Sequence, residues 1–218
     1  YVTGNTIVDA LRITSTQINN TRKKNQIRQL LNSYIGNDEL TSSWESGQRG
    51  MVLITAHRRE NFGLGFEELC LALVQLAHRY PNIDWVYPVH LNPNVSSIVR
   101  QNLGNIKNVL LIKPIGYEPF IYLMMLCKFI LTDSGGVQEE APTFKKPVLV
   151  MRDHSERPEA ISSGVSKLIG MNCKSIFNAS CALIENKGII ESTKDLVNPY
   201  GDGFTSNKIL DIIRRSYE

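Results

Sequence analysis

Short apolar runs recur along this sequence, and the stretches between them carry apolar residues at helical spacing. The runs are MVLIT (51–55), IDWVYPV (83–89), NVLLIK (108–113), KFILT (128–132), PVLVM (147–151) and VSKLIG (165–170). Each is rich in Val, Ile and Leu and mostly apolar at successive positions, so a strand made from it needs cover on both faces. Between them Phe66, Leu69, Leu73 and Leu76 repeat at three and four residues until Pro81 stops the pattern, and Phe120, Leu123, Met124 and Cys127 repeat it before the fourth run. Strand, helix, strand in this order requires crossovers and predicts an α/β fold with an open, doubly wound parallel sheet. The ligand site of such a sheet lies beyond the carboxyl ends of its strands.

The 218 residues are 42% hydrophobic and 21% charged, a mixture that supplies a core and argues against a disordered or fibrous chain. With 24 basic and 21 acidic side chains the formal charge is +3, too small to predict a nucleic-acid or membrane partner. No apolar run approaches the roughly 20 residues of a membrane span. Cys70, Cys127, Cys173 and Cys181 form no CxxC pair and no zinc-like cluster. Cys70 and Cys127 lie among apolar residues and read as reduced core thiols of a cytosolic protein. No HExxH, HxxxH or Asp-x-Asp pair occurs, so no metal site and no cofactor is expected. The chain starts at Tyr1 without a signal-peptide pattern, which is expected of a piece of something longer.

Residues 1–49 read differently. VTGNTIVDAL and TRKKNQIRQLLNSYIG form one or two helices with no strand partner, and the polar stretch NDELTSSWESGQRG leads into the first strand. They are expected to form a connecting or hinge segment, followed by the main domain over 50–197. Residues 198–218 hold a turn cluster, NPYGDG, and a final amphipathic helix.

The strongest local signal is KFILT-DSGG-VQEEAPTF, where a strand ends and a helix is expected to begin near Gly136. Glycines allow close approach of a ligand, and the free amides of a first helical turn attract anions. One reading is a pyrophosphate cradle at Ser134, Gly135 and Gly136; the other is a tight turn capped by Asp133 or Ser134. The motif is neither GxGxxG nor a Walker loop. Glu139 and Glu140 either complement the helix dipole, at about 0.3–1 kcal/mol each, or reach a ribose, whose vicinal hydroxyls match a carboxylate. Glu140, one turn beyond Gly136, is the better placed for that. A second cluster, His57, Arg58, Arg59 and Glu60, follows the first strand; it either clamps phosphates or forms a solvated ion-paired loop. His90 follows the second strand, and MRDHSERPEA places Arg152, His154, Glu156 and Arg157 after the fifth.

Taken together, VTGNTIVDAL, TAHRRENFG, YPVHLNPNV, GYEPFIYLM, ILTDSGGVQEEAP, KKPVLVMRDHSERPEA and NPYGDG resemble the carboxyl-terminal half of the non-hydrolysing UDP-N-acetylglucosamine 2-epimerases. The resemblance runs from Tyr1 to beyond Gly203. It implies a Rossmann-like domain, the C-terminal one of a two-domain GT-B architecture, with UDP bound in residues 50–197. The implied enzyme is an isomerase that interconverts UDP-GlcNAc and UDP-ManNAc by eliminating UDP and adding it back. The resemblance further implies a cytoplasmic homodimer serving surface-polysaccharide synthesis.

Residue by residue, the resemblance implies that Ser134, Gly135 and Gly136 hold the diphosphate and Glu140 the ribose. Phe120 would lie by the uracil, Arg157 would contact the nucleotide sugar, and His57 would be the catalytic histidine that stabilises departing UDP. Arg58 and His90 match residues of an allosteric site for a second UDP-GlcNAc. The carboxylates that move the proton at carbon 2 belong, in the family, to an amino-terminal domain missing here, so this chain is expected to bind UDP without turnover. The sequence departs from the family at His154-Ser155, usually two threonines, and at Phe144-Lys145, commonly Leu-Gly. A GT-B glycosyltransferase domain and a non-catalytic UDP-sugar sensor are the alternatives.

Overall fold

Alternate residues of a strand point to opposite faces, and the first apolar run shows what that demands. In β1 (Gly50–Thr55) Val52 and Ile54 enter one core cluster while Met51 and Leu53 enter another. The other expected strands follow as β2 (Ile83–Pro88), β3 (Val109–Ile112), β4 (Ile130–Thr132), β5 (Val148–Val150) and β6 (Ser166–Leu168). They form one sheet in the order β3-β2-β1-β4-β5-β6, every neighbouring pair parallel. Leu53 sits opposite both Val86 and Ile130, and Thr55 opposite Thr132. This computed structural model describes residues 1–217.

The helices are α1 (Thr6–Ile18), α2 (Thr21–Ile35), α3 (Leu40–Glu45), α4 (Leu64–Arg79), α5 (Pro93–Leu103), α6 (Tyr117–Leu126), α7 (Gly135–Glu140), α8 (Pro158–Ser162), α9 (Cys173–Glu185), α10 (Lys187–Ser192) and α11 (Thr205–Tyr217). Asparagine starts five of them: the side chains of Asn5, Asn20, Asn92, Asn172 and Asn186 accept amides of the first turns of α1, α2, α5, α9 and α10. Helices α4, α5 and α9 cover one face of the sheet, with Phe66, Leu69, Val99 and Ile176 buried there. Helices α1, α2, α3 and α6 cover the other. The doubly wound parallel sheet expected from the apolar runs is therefore the fold. Among the described residues no helix is long and apolar enough to cross a membrane.

Residues 1–49 hold three helices rather than one or two, and they pack on the sheet. Leu11, Ile18, Ile27 and Leu31 are buried in the same cluster as Met51 and Leu53. The third helix, α3, lies inside the polar stretch before β1. Its Trp44 is buried and donates its indole N–H to Asp84 Oδ2 at 2.8 Å, and Arg49 Nη2 meets the other oxygen of that carboxylate at 2.6 Å. At the far end α11 is anchored to α1: both oxygens of the Asp9 carboxylate accept amides at its start, from Thr205 at 3.0 Å and Ser206 at 2.8 Å.

Candidate functional site

The chain runs outward from β1 through β2 to β3, then returns to start β4 on the other side of β1. Loops leaving β1 and β4 therefore diverge and open a crevice at the carboxyl ends of these strands. A cavity of about 300 Å³ occupies it, lined by Thr55, Ala56 and His57 after β1, Pro88 and His90 after β2, Pro114, Ile115 and Phe120 after β3, and Ser134 and Val137 after β4. Its lining is mainly apolar, with Thr55, His57, His90 and Ser134 as polar exceptions, and contains no carboxylate. The rings of His57 and His90 stack with centroids 6.1 Å apart.

Strand β4 ends at Thr132, whose hydroxyl lies 2.6 Å from that of Thr55 and accepts the Ser134 amide at 2.9 Å. Ser134 is the N-cap of α7 in extended backbone, but its side chain caps nothing. The Ser134 amide is thus engaged within the protein, and the free amides begin at Gly135 and Gly136, which have no protein acceptor among the described residues. A methyl group added at Gly135 would sit 3.8 Å from the guanidinium groups of both Arg157 and Arg58. One added at Gly136 would meet only Ser134 Oγ, at 4.0 Å. Two cations therefore converge on a helix start whose amides stay open, an arrangement suited to a doubly charged anion.

Asp133 does not cap this helix. It is fully buried and turns instead to the loop after β1. Its Oδ2 accepts the Arg58 amide at 2.8 Å, the His57 amide at 3.0 Å and the Asn61 side-chain amide at 3.1 Å. This carboxylate fastens the β1 loop to the β4 loop, and sequence reading offered it only a capping role. The missed signal is an Asp placed directly after an apolar strand, where a buried charge needs several donors.

The two glutamates of α7 divide. Glu139 is buried and ion-paired with Arg157, and it also accepts the Asn5 side-chain amide. Glu140 is buried too, accepts the Tyr117 hydroxyl at 2.8 Å, and lies outside the cavity lining. Burial pushes Glu140 above the ordinary carboxyl range, the Tyr117 hydrogen bond opposes this, and the neighbouring Glu139 charge adds to it. Burial and Glu140 in turn push the Tyr117 phenol up. Tyr117 is a second residue sequence reading missed; it opens α6, three residues before Phe120.

Arg58 reaches Glu156 at 3.4 Å, and Arg152 bridges Glu156 at 3.3 Å and Glu60 at 3.0 Å. This chain of ion pairs joins the loop after β1 to the loop after β5. Of the residues singled out in the sequence, His57, His90, Phe120 and Ser134 thus share one cavity wall. Gly135, Arg58 and Arg157 adjoin one another, while Glu140 stands one turn along α7. Among the described residues no group of three His, Cys, Asp or Glu side chains is placed to hold a metal ion.

A family profile described as UDP-N-acetylglucosamine 2-epimerase matches residues 1–214. A UDP-N-acetylglucosamine 2-epimerase of Campylobacter jejuni is 46% identical over 215 residues, covering 98% of this chain and 54% of its own. The crystal structure of a UDP-GlcNAc 2-epimerase from Neisseria meningitidis bound to UDP-GlcNAc superposes with a TM-score of 0.87 at 40% identity, over 98% of this chain and 54% of that one. The chain spans about half the length of the curated relatives it matches. The C-terminal domain of a group 1 glycosyltransferase from Francisella tularensis shares the fold alone, with a TM-score of 0.54 at 15% identity over 76% of this chain and 90% of that domain.

Proposed function

The chain belongs to the UDP-N-acetylglucosamine 2-epimerase family, as its C-terminal half and with the Rossmann-like C-terminal fold of a GT-B protein, and we propose that it binds the UDP end of a UDP-sugar. The observation that carries this reading is the convergence of Arg58 and Arg157 on Gly135, beside the free amides of α7. Each charge-assisted hydrogen bond to a phosphate contributes about 1.5–3 kcal/mol. The diphosphate would lie there, the uracil against Phe120, and the ribose hydroxyls on Glu140. In this pose His57 meets the leaving phosphate oxygen, and Arg58 and His90 would contact a second, activating UDP-GlcNAc.

In the proposed reaction UDP leaves across carbons 1 and 2 of the sugar and adds back with the proton on the other face. That needs a stabilised leaving group, a positioned base and a closed cleft. This chain offers the first. Its cavity lining contains no carboxylate to take the carbon-2 proton, so the 218-residue chain is expected to bind UDP without epimerising. In this reading residues 50–197 are the UDP-binding domain, 1–49 connect it to the rest of the enzyme and 198–218 close it. The homodimer and the cytoplasmic setting of the whole enzyme rest on family membership.

Calorimetry of the purified chain with UDP, UDP-GlcNAc, ADP and pyrophosphate tests the site. UDP should bind more tightly than ADP or pyrophosphate, and no UDP-ManNAc should form from UDP-GlcNAc. Equal affinity for all the nucleotides and pyrophosphate overturns the UDP assignment; measurable turnover overturns the inactivity.

A further inference from the structure

We infer that Asp133 is a positioning residue for His57, holding its imidazole as the Nδ1–H tautomer and leaving Nε2 as the nitrogen that meets a ligand. This extends the reading above, in which His57 faces the diphosphate.

The argument is a count of donors. Asp133 is 0% exposed, so both carboxylate oxygens need partners from the protein. Its Oδ2 has three, the amides of His57 and Arg58 and the side chain of Asn61. Its Oδ1 has only a longer share of the His57 amide, at 3.2 Å. The remaining nitrogen near Oδ1 among the described residues is His57 Nδ1, at 3.5 Å. A proton on Nδ1 completes the set around Oδ1. A bare Nδ1 would instead turn its lone pair toward a buried negative charge. The contact is loose, as such contacts commonly are before ligand arrives, but the backbone restrains it: the same carboxylate grips the amides on either side of the His57 carbonyl. Which imidazole nitrogen carries the proton is set by the partner of the other, and here the partner comes from the strand end that also starts the α7 turn.

Two other histidines serve as internal standards. His78 Nδ1 lies 2.8 Å from the Val74 carbonyl oxygen and must donate, so His78 is Nδ1–H. His90 Nδ1 accepts the Asn92 amide at 3.1 Å, so neutral His90 is Nε2–H.

The experiment is a long-range nitrogen–proton correlation spectrum of the imidazole rings in the nucleotide-free 218-residue chain. It is recorded about two pH units above the ordinary histidine pKa of about 6.5. The chain has 4 histidines, so single His→Gln variants assign every ring. His57 should show the pattern of His78; a pattern like that of His90 overturns the inference with no variant needed. Asp133→Asn supplies the second arm. Three N–H donors keep the amide oxygen at the Oδ2 position, which puts the NH2 group opposite Nδ1. In a folded Asp133→Asn chain His57 should therefore invert to Nε2–H, and an unchanged pattern counts against the assignment. Adding UDP to the wild type should then move the Nε2 resonance more than Nδ1. If UDP does not bind, the nucleotide reading fails while the tautomer result stands on its own.

Discussion

Glu140 is under two opposing pressures, burial that favours its protonated form and a Tyr117 hydroxyl that favours its charge. Burial wins, so its folded pKa lies above the ordinary value of 4.5. As pH rises from 4.5 through that raised pKa, the folded chain holds more protons than the unfolded one, and this group's contribution to stability falls. Ribose binding runs the other way, because it needs the carboxylate. Affinity for UDP is expected to decline on acidification before an ordinary carboxyl would titrate, and Glu140→Gln should weaken UDP about tenfold or more while leaving pyrophosphate nearly unchanged. Titration calorimetry with both ligands checks this, and equal losses would remove the ribose assignment. At this scale the sequence showed which residues gather but not how they pair. The DSGG turn, His57 and His90 were legible because strand ends announce them, whereas Phe120, inside α6, was singled out for the site only by the family resemblance. The pairing of Tyr117 with Glu140, and Asp133 reaching to His57, depend on crossovers that bring residues 23 and 76 positions apart together, and no local pattern encodes that. The departure at Lys145 also gains a meaning. It is the one non-glycine residue with positive φ among the described residues, at 57°, a conformation that glycine adopts without strain.

Among the elements, α11 shows how a helix can be held mainly at its start. Only Thr205 of this helix is buried, and the Asp9 carboxylate accepts its first two amides. Burial raises the Asp9 pKa, but the hydrogen bonds from Ser206 and Thr205 outweigh it and keep the carboxyl below 3.8. Such a cap contributes about 0.5–2 kcal/mol. Asp9→Ala is therefore expected to speed hydrogen exchange through the first turn of α11. The gap from wild type should be fully present above pH 3.8 and close as pH falls through the lowered folded value. Long amphipathic helices such as α4 were readable from periodicity. Helix α3 was not, because its six residues LTSSWE carry too short a pattern, and the Trp44 bond that fixes it reaches 40 positions along the chain to Asp84.

For the whole molecule, the question is whether two apolar layers on one sheet behave as one cooperative unit. Cys70 lies in the layer under α4 and Cys127 in the layer under α6, and burial pushes both thiols up to about 12. Each strand contributes side chains to one layer or both, so neither layer can open without disturbing the sheet. Pulsed alkylation across a urea series should expose Cys70 and Cys127 at the same midpoint; two separate midpoints would show that the layers melt independently. Cys173 and Cys181, both partly exposed, should react earlier. The layered fold was legible because burial on both faces writes continuous apolar runs into the chain. How residues 1–49 are used was not, since an amphipathic stripe shows that a helix packs on one face but not against which surface. One further consequence lies in where the crevice sits. The groups facing it come from loops and helix starts beyond the carboxyl ends of the strands, on a single rim, while the opposite rim keeps the Arg49–Asp84 clasp. Rewriting the upper loops therefore leaves the foundation untouched, and one frame can host unrelated chemistries with very little shared spelling.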